Sequence, residues 1–322
     1  MTSAIALKRV SQGPRRWNLG GHLGLVIILI VVAVIATIGS DAFLNPNNLL
    51  NVLRQVSVLA VIAAGLTMLM ISGGIDFSIG SNAVVTMAIV AQLINGGLPL
   101  PLAILIGMVC ATIIGLVNGL VVTFTSVAPF VATLATATIL DGLALLIIDG
   151  ASVSAGSELM SFGNGQIFGL PLLFLAATLV CVVLGLSLKY TAFGRNVFAI
   201  GGNETVARLS GIPAARNKLL LYSLGGLLAG IAGVMLFSRL GAASPGVSGL
   251  TLELQAIAAV VIGGTALQGG KGTMVGTALG VILIGIVANS LNLLGVSAYF
   301  QIMAVSVVLL LAAVANSGRR KA

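Results

Sequence analysis

The chain has 322 residues, of which 58% are hydrophobic and 7% are charged, and its mean hydropathy is +1.19. Ordinary globular domains carry about 25% charged residues, so this composition excludes a soluble domain. The formal net charge of +8 does not indicate nucleic-acid binding, because the basic residues gather at the edges of apolar segments. The sequence predicts an all-α polytopic membrane protein that sits in the lipid bilayer.

A transmembrane helix needs about 20 predominantly apolar residues. Ten segments are predicted to be spans, and they are 20–40, 55–73, 79–96, 101–123, 128–148, 170–188, 219–238, 253–268, 273–294 and 297–315. The first segment follows basic residues, as a signal peptide does, but it is long and has no clear cleavage site. We therefore expect it to be the first membrane anchor.

The distribution of Lys and Arg predicts the orientation. If the amino end is cytoplasmic, the cytoplasmic segments hold 13 of the 15 basic residues, as the positive-inside rule requires. The expected layout is a cytoplasmic tail at 1–19, a transmembrane domain at 20–316 and a second cytoplasmic tail at 317–322. Within the domain, the loop 189–218 would be cytoplasmic and the loop 149–169 external.

The loop 189–218 is the longest hydrophilic passage in the interior of the chain, and it holds five of the fifteen Lys and Arg residues. A short helix is predicted inside it, because Asn203 is a good N-cap and Glu204 suits the positive end of the helix dipole. Gly211 supplies a stop. One apolar stripe is expected at three-residue spacing: Val206, Leu209 and Ile212. Such a helix suits a soluble partner, although a solvated connecting loop explains the segment equally well.

Two glycine-rich stretches resemble each other, ISGGIDFSIGS at 71–81 and LQGGKGTMVGT at 267–277. The alignment matches three pairs of glycines: Gly73 with Gly269, Gly74 with Gly270, and Gly80 with Gly276. Paired, glycine-interrupted segments in the two halves of a transporter often mark the transport path. The alternative is a chance likeness between glycine-rich turns.

Ionisable groups inside a membrane cost about 2.5–3.5 kcal/mol each on insertion scales, so each needs a physical reason. Asp141 lies in the middle of the predicted span 128–148, where it would meet either a polar ligand or a basic partner within the fold. Asp76 lies in the first glycine-rich stretch, where capping the next helix is as good an explanation as a transport role. Other polar side chains are expected to hydrogen-bond between helices unless they line a cavity: Asn118, Asn289, Asn292 and Gln301.

The sequence contains no pattern typical of enzyme chemistry. The stretch GGKGT at 269–273 is not a nucleotide-binding loop, since Gly272 rather than Ser or Thr follows Lys271. The single histidine, His22, cannot form a metal site, and both cysteines lie within apolar spans, where buried thiols are expected. We therefore expect neither an enzyme nor a metal-binding protein.

Five blocks of sequence resemble the signature blocks of the ribose-type permeases of ABC importers, in matching order and spacing. They are GLTMLMISGGIDFSIGS (65–81), PFVATLAT (129–136), GRNVFAIGGNETVARLSGIP (194–213), AAVVIGGTALQGGKG (258–272) and NSLNLLGVSAYFQ (289–301). The resemblance implies a multi-pass permease subunit of a prokaryotic inner membrane, paired with a second copy or a paralogue. It also implies a periplasmic sugar-binding protein and a cytoplasmic ATP-binding subunit. That subunit would hold ATP and Mg²⁺, and this chain would bind no cofactor.

On this resemblance the loop 189–218 becomes the segment that docks on the ATP-binding subunit. The residues that match the family's coupling motif are Gly202, Asn203, Glu204, Ala207, Arg208, Ser210 and Gly211. The candidates for the sugar path are Gly73, Gly74, Asp76, Asp141, Gly269, Gly270, Asn289 and Asn292. The family often has Arg where this chain has Asp141, which leaves the identity of the sugar open.

Three other functions are left open. Asp141 and the glycine-broken repeat also fit a secondary transporter driven by an ion gradient, although such a carrier would not need the coupling loop. A related ABC permease for branched-chain amino acids or another small polar solute would share the same machinery. A non-transporting scaffold would leave the buried Asp141 unexplained.

Overall fold

The computed structural model describes residues 19–297 together with residues 300, 301, 303 and 307. Most of the regular structure in these residues is α-helical. The helices are α1 (Leu19–Gly39), α2 (Pro46–Ile71), α3 (Ile79–Asn95), α4 (Leu100–Phe124), α5 (Pro129–Ile147), α6 (Gly156–Asn164), α7 (Leu172–Tyr190), α8 (Ala192–Gly202), α9 (Glu204–Leu209), α10 (Ala214–Leu240), α11 (Gly249–Ile262) and α12 (Met274–Leu293). The strands are β1 (Val153–Ser154), β2 (Gln166–Ile167), β3 (Leu170–Pro171) and β4 (Ala242–Ala243).

Seven of the described helices are long and apolar enough to cross a membrane: α1, α2, α4, α5, α7, α10 and α12. Two shorter apolar helices, α3 and α11, also coincide with predicted spans. Nine of the ten predicted spans therefore contain a helix, and the tenth, 297–315, lies mostly outside the described residues. The polytopic all-α fold class is confirmed.

Three of the helices begin earlier than the hydrophobic pattern predicts. α2 begins at Pro46, because proline suits the first helical position and Asn45 caps the helix through its side chain. Arg54, which the pattern places outside the span, lies within this helix. α10 begins at Ala214 and α11 at Gly249, so both carry polar residues in their first turns. Hydropathy therefore identifies the apolar body of each helix but misses its polar start.

The centre of the bundle is built on α2 and α10, which are mostly buried, whereas α1, α4, α5 and α7 expose apolar side chains. α10 packs on α4 through glycines, since an added Cβ on Gly115 would lie 2.9 Å from the Cα of Gly226. Lipid offers no hydrophobic driving force between helices, so close backbone approach of this kind stabilises the contact. The exposed apolar faces of the outer helices suit contact with lipid or with another subunit.

The bundle has irregular structure at both of its ends. At one end, β1 pairs with β4, and the hairpin of β2 and β3 follows α6. The Arg54 guanidinium on α2 donates to the carbonyl of Asn164 at the end of α6 (3.3 Å), which fixes the first half of α2 at this end. α8 and the glycine-rich turns lie at the opposite end, against Ile71 where α2 finishes. We call these the α6 end and the α9 end.

Candidate functional site

The loop 189–218 forms two helices, α8 and α9, between α7 and α10. Asn203 caps α9 by accepting a hydrogen bond from the N–H of Val206 (3.1 Å), as the sequence predicts. The chain turns away from α9 at Gly211, which has a φ of +82° and donates its N–H to the carbonyl of Arg208 (3.0 Å). The predicted short helix, its cap and its stop are thereby confirmed. We call α8 and α9 together the α8–α9 segment.

Glu204, in the first turn of α9, ties this segment to α10. Its carboxylate accepts from the guanidinium of Arg208 (2.7 Å) and from the ammonium of Lys218 on α10 (2.6 Å). Partial burial by itself raises the pKa of Glu204, but the hydrogen bonds and charges of Lys218 and Arg208 hold the pKa below its ordinary value. The carboxylate is therefore charged at neutral pH and available to both cations.

The apolar stripe predicted on α9 is wrong in one of its members. Val206 and Leu209 are 57% and 84% exposed, so they form an apolar edge on the outside of the molecule. Ile212 instead packs inward, because the chain has already turned at Gly211. The small core that it joins, where α8, α9 and α10 meet, contains Ile200, Ala207 and Ala214.

The residues expected to form the coupling motif lie together on α9 and its flanks, but they do not all face outward. The exposed members are Gly202, Asn203, Arg208, Ser210 and Gly211. Glu204 is half-buried, and Ala207 is buried in the small core. Two further basic residues, Arg195 and Arg216, are exposed on the adjoining helices. The segment therefore offers an apolar edge with basic side chains on the helices around it.

The two glycine-rich stretches meet each other and the end of α8. The N–H of Gly270 donates to the carbonyl of Ile71, the last residue of α2 (2.8 Å). An added Cβ on Gly269 would lie 2.8 Å from both the nitrogen of Gly73 and the carbonyl oxygen of Gly201. The two stretches that the alignment pairs are thus in direct contact at the α9 end of the bundle.

Asp76 lies two residues before Ser78, the N-cap residue of α3. Its Oδ1 accepts from the N–H of Ser78 (2.8 Å) and from the hydroxyl of the same residue (2.7 Å). That hydroxyl accepts in turn from Asn118 on α4 (2.7 Å), whose amide oxygen accepts from Thr136 on α5 (2.7 Å). This network gives Asp76 a structural role at the start of α3, and Asn118 bonds between helices as expected.

Asp141 lines a cavity of about 180 Å³. The walls of the cavity come from α3, from the second half of α5 and from the connection between β4 and α11. Ser244 and Ser248 add hydroxyl groups to a mostly apolar lining. The Oδ1 atom of Asp141 is buried and has no hydrogen-bond partner among the described residues. Asp141 therefore brings a carboxyl group with an unused acceptor atom to the wall of this cavity.

The other candidates for the path are less open to a ligand. Asn289 on α12 is paired with Asn48 on α2 by two amide hydrogen bonds (2.8 and 3.0 Å). Gly74 lies beside Tyr222, whose hydroxyl donates to the carbonyl of Ile75 (3.0 Å). Asn292 is exposed near the end of α12. Asp141 is therefore the path candidate that lines a cavity, whereas Asn289 is engaged in helix packing.

Glu253 on α11 carries a buried carboxyl group, and the hydropathy pattern does not predict that it is buried. Its side chain is 0% exposed, and neither oxygen has a hydrogen-bond partner among the described residues. α11 crosses α3 closely here, since an added Cβ on Gly80 would lie 3.0 Å from the Cβ of Glu253. The sequence pattern puts Glu253 at the very edge of a span. The earlier start of α11, at Gly249, is what places it inside the bundle.

Comparison with known proteins extends over most of the chain. Residues 48–314 match the family described as the permease component of the branched-chain amino acid transport system. The ribose import permease protein of Bacillus subtilis (strain 168) is 44% identical over 95% of this chain and 94% of that protein. The ribose import permease protein of Haemophilus influenzae is 38% identical over 91% of each. The D-allose transport system permease protein of Escherichia coli (strain K12) is 34% identical over 90% of this chain and 89% of that protein.

The fold also resembles a solved structure, that of PsaBC from Streptococcus pneumoniae in complex with Fab. The TM-score is 0.50, and the match covers 84% of this chain and 93% of that chain at 15% identity. At this identity the likeness supports a similar fold and nothing more. The family match and the seven long apolar helices among the described residues make the protein a multi-pass protein of the bacterial inner membrane. The chain belongs to the family of permease components of branched-chain amino acid type transport systems.

Proposed function

We propose that the chain is the permease subunit of an ATP-driven importer for a monosaccharide, with ribose as the first substrate to test. Relatives that are 44% and 38% identical are named ribose import permeases, and one at 34% is named for D-allose. The observation that carries the ATP-driven mechanism is the exposed apolar edge of α9, which lies among exposed basic residues. A carrier driven by an ion gradient has no need of such a docking surface.

The proposed topology has ten transmembrane spans and both termini in the cytoplasm. Residues 1–19 and 317–322 would be cytoplasmic tails that flank the permease domain at 20–316. The α9 end would face the cytoplasm, and the α6 end, with the loop 149–169, would face the periplasm. The positive-inside rule supports this orientation, since the loop 189–218 holds five basic residues.

The α8–α9 segment would dock on a cytoplasmic ATP-binding subunit, which would carry ATP and Mg²⁺. Val206 and Leu209 offer apolar surface for this contact, and Arg208 offers a cation. Because the Glu204 carboxylate bonds Lys218, a force applied to α9 reaches α10. Closure of the ATP-binding subunits would then rock the permease between outward-open and inward-open states. This chain itself would bind no cofactor.

The sugar would pass the cavity at Asp141, after delivery by a periplasmic binding protein at the α6 end. Support comes from the unpartnered Oδ1 of Asp141 and from the hydroxyl groups of Ser244 and Ser248 in the same wall. Pockets for drug-sized ligands measure about 300–1,000 Å³, so a cavity of about 180 Å³ suits a small solute. The paired glycine-rich turns would lie beside the inner end of this path.

A second permease subunit, either another copy of this chain or a paralogue, would cover the outer face of α5. This face is largely apolar and exposed. Such a surface in a membrane can be covered by lipid or by another protein. A neighbouring subunit at this position would close the path beside α5.

A branched-chain amino acid is the second candidate substrate, because the family description names that class. Asp141 does not separate the two classes, since a carboxylate in the cavity wall would attract the ammonium group of an amino acid and repel its carboxylate. Uptake of labelled ribose and of labelled leucine by the same cells, with and without the chain, separates the two substrates.

The docking role is tested by purifying the chain from its native host in detergent. A matched variant has residues 203–211 replaced by a Gly/Ser linker of equal length. We expect an ATPase to co-purify with the intact chain and to be absent with the linker variant. An intact chain that binds no ATPase, in cells where an ion gradient drives uptake, would contradict the proposal.

A further inference from the structure

The end of α8 is in backbone contact with both glycine-rich turns. An added Cβ on Gly201 would overlap the carbonyl oxygen of Ile71 and would lie 2.6 Å from the nitrogen of Gly270. Real Cβ atoms are not found at such distances from a backbone atom. We call Gly73, Gly201, Gly269 and Gly270, with the carbonyl of Ile71, the glycine junction.

The junction brings together three separate segments of the chain. Ile71 and Gly73 connect α2 to α3, whereas Gly269 and Gly270 connect α11 to α12. Gly201 is the penultimate residue of α8. Three glycines of the two turns have positive φ, namely +82°, +89° and +75° for Gly73, Gly269 and Gly270. Only glycine adopts such backbone easily, so the turns can be this tight only with these residues.

The junction has no flexible side chains that could absorb a displacement. Its contacts are between backbone atoms, and the N–H of Gly270 donates to the carbonyl of Ile71 (2.8 Å). Packed interiors change between discrete arrangements rather than deforming gradually. A shift of α8 must therefore move the ends of α2 and α11, the starts of α3 and α12, or all of them.

The α8–α9 segment is held firmly together and fixed to α10. Its small core joins α8 to α9 and α10 through Ile200, Ala207 and Ala214. Glu204 fixes α9 to α10 through Lys218. A force on the exposed edge of α9 is therefore carried to Gly201 at the end of α8.

We infer that the glycine junction transmits movement of the α8–α9 segment to both glycine-rich turns at once, and that Gly201 is the residue that positions this contact. The inference rests on the proposed docking of an ATPase on α9. It adds the place at which the movement of α9 reaches the membrane domain. Gly201 touches neither sugar nor ATP in this account. Its role is to let the end of α8 approach the two turns.

The test is the variant Gly201→Ala in the complete transporter, reconstituted with its ATPase and binding protein. The measured quantity is the number of sugar molecules imported per ATP hydrolysed. We expect this ratio to fall about tenfold, within the roughly 5- to 150-fold range of coupling between sites. The complex should still assemble and hydrolyse ATP, but the sugar-loaded binding protein should no longer stimulate hydrolysis. Gly24→Ala is the matched control, because Gly24 is a helical glycine with nothing within 4 Å of the added Cβ.

A second variant keeps the test valid if Gly201→Ala does not assemble. In Gly270→Ala the added Cβ would lie 3.3 Å from the carbonyl oxygen of Gly201, a milder steric contact than at Gly201, and the positive φ of Gly270 (+75°) adds backbone strain. The same fall in the ratio is expected. If an assembled variant imports as many sugar molecules per ATP as the wild type, the inference is wrong. Loss of assembly in both variants would also overturn it, because the junction would then be a packing contact only. If the wild-type complex shows no ATP-driven uptake, the proposed function fails before any variant is compared.

Discussion

Asp76 and Glu204 carry carboxylates that the fold satisfies, the first through Ser78 and the second through Lys218 and Arg208. Asp141 and Glu253 have carboxyl oxygens without a partner among the described residues. An unpaired buried acceptor costs about 1–3 kcal/mol, and more when it is charged. Of these two residues, Asp141 is the one found in the wall of a cavity. Asp141 is therefore the residue at which a hydrogen bond from a substrate hydroxyl would stabilise binding most.

Replacing Asp141 should weaken sugar uptake. A hydrogen bond to a charged group contributes about 1.5–3 kcal/mol, so Asp141→Ala should lower the initial rate of uptake at limiting sugar about tenfold or more. Asp141→Asn, which keeps one acceptor oxygen, should lose less. The measurement is uptake of labelled sugar at equal amounts of membrane-inserted protein. Asp149→Asn is the matched control, because Asp149 is exposed and lies outside the cavity. Normal uptake by Asp141→Ala would remove Asp141 from the path.

Reversing a charge on α9 should uncouple transport without preventing membrane insertion. Glu204→Lys brings a third cation to Arg208 and Lys218, and Arg208→Glu places two carboxylates one helical turn apart. Both changes should loosen the ATPase contact, measured as loss of co-purified ATPase and of uptake. Glu158→Lys serves as control, since Glu158 is an exposed residue in the first turn of α6 at the other end of the bundle. Wild-type uptake by the α9 variants would refute the docking role.

At the scale of the elements, α9 is held on α10 by an interaction that depends on pH. The pKa of Glu204 is held below its ordinary value of 4.5. The stabilisation that the Glu204 carboxylate gives to α9 is therefore present above pH 4.5 and is lost as the pH falls through the folded-state pKa. Amide exchange of α9, corrected for the intrinsic effect of pH, should be constant between about pH 5 and pH 7 and should quicken below 4.5. Glu204→Gln should abolish this dependence. An unchanged dependence in that variant would mean that another group controls α9.

The contact between α4 and α10 sets how closely the central helices pack. An added Cβ on Gly226 would overlap the carbonyl oxygen of Ala111 and would lie 3.0 Å from the Cα of Gly115. Overpacking of this kind costs about 1–3 kcal/mol, so Gly226→Val should lower the melting temperature of the protein in detergent by several degrees. Gly24→Val, on an outer helix with open space around it, should leave the melting temperature near that of the wild type. A wild-type melting temperature for Gly226→Val would show that the two helices can separate at no cost.

The local parts of the fold could be read from the sequence because each depends on neighbouring residues. The apolar body of each described span, the Asn203 cap and the stop at Gly211 all follow from local patterns. The paired glycine-rich stretches could be recognised as related, since an alignment needs no structure. Their direct contact through Gly270 and Ile71 is set by tertiary packing across the chain, which no local pattern records.

The errors have physical causes of the same kind. Ile212 turns inward because the position after Gly211 no longer follows the helical spacing of α9. Glu253 could not be recognised as buried, because the start of α11 depends on the Ser248 cap and on contact with α3. Asn289 bonds between helices, as one of the two expectations for it had it, but the sequence does not indicate that its partner is Asn48. Predicting each of these features requires knowledge of which helices are in contact.

At the scale of the whole molecule, the two ends of the bundle differ in character. The α6 end carries β1, β4 and the hairpin of β2 and β3. The α9 end carries the α8–α9 segment and the glycine junction. The Asp141 cavity lies between α3, α5 and the β4–α11 connection. A solute in this cavity would contact α3 and α5, whereas a partner docked on α9 would act on α10, which packs against α3.

The measurement that tests this account most directly is sugar uptake into proteoliposomes. The chain is reconstituted with its co-purified ATPase, and the ribose-loaded binding protein is added on the outside. We expect labelled ribose to accumulate when ATP and Mg²⁺ are enclosed, and to accumulate equally when proton and sodium gradients are collapsed by ionophores. Uptake that requires an ion gradient and ignores enclosed ATP would contradict the account.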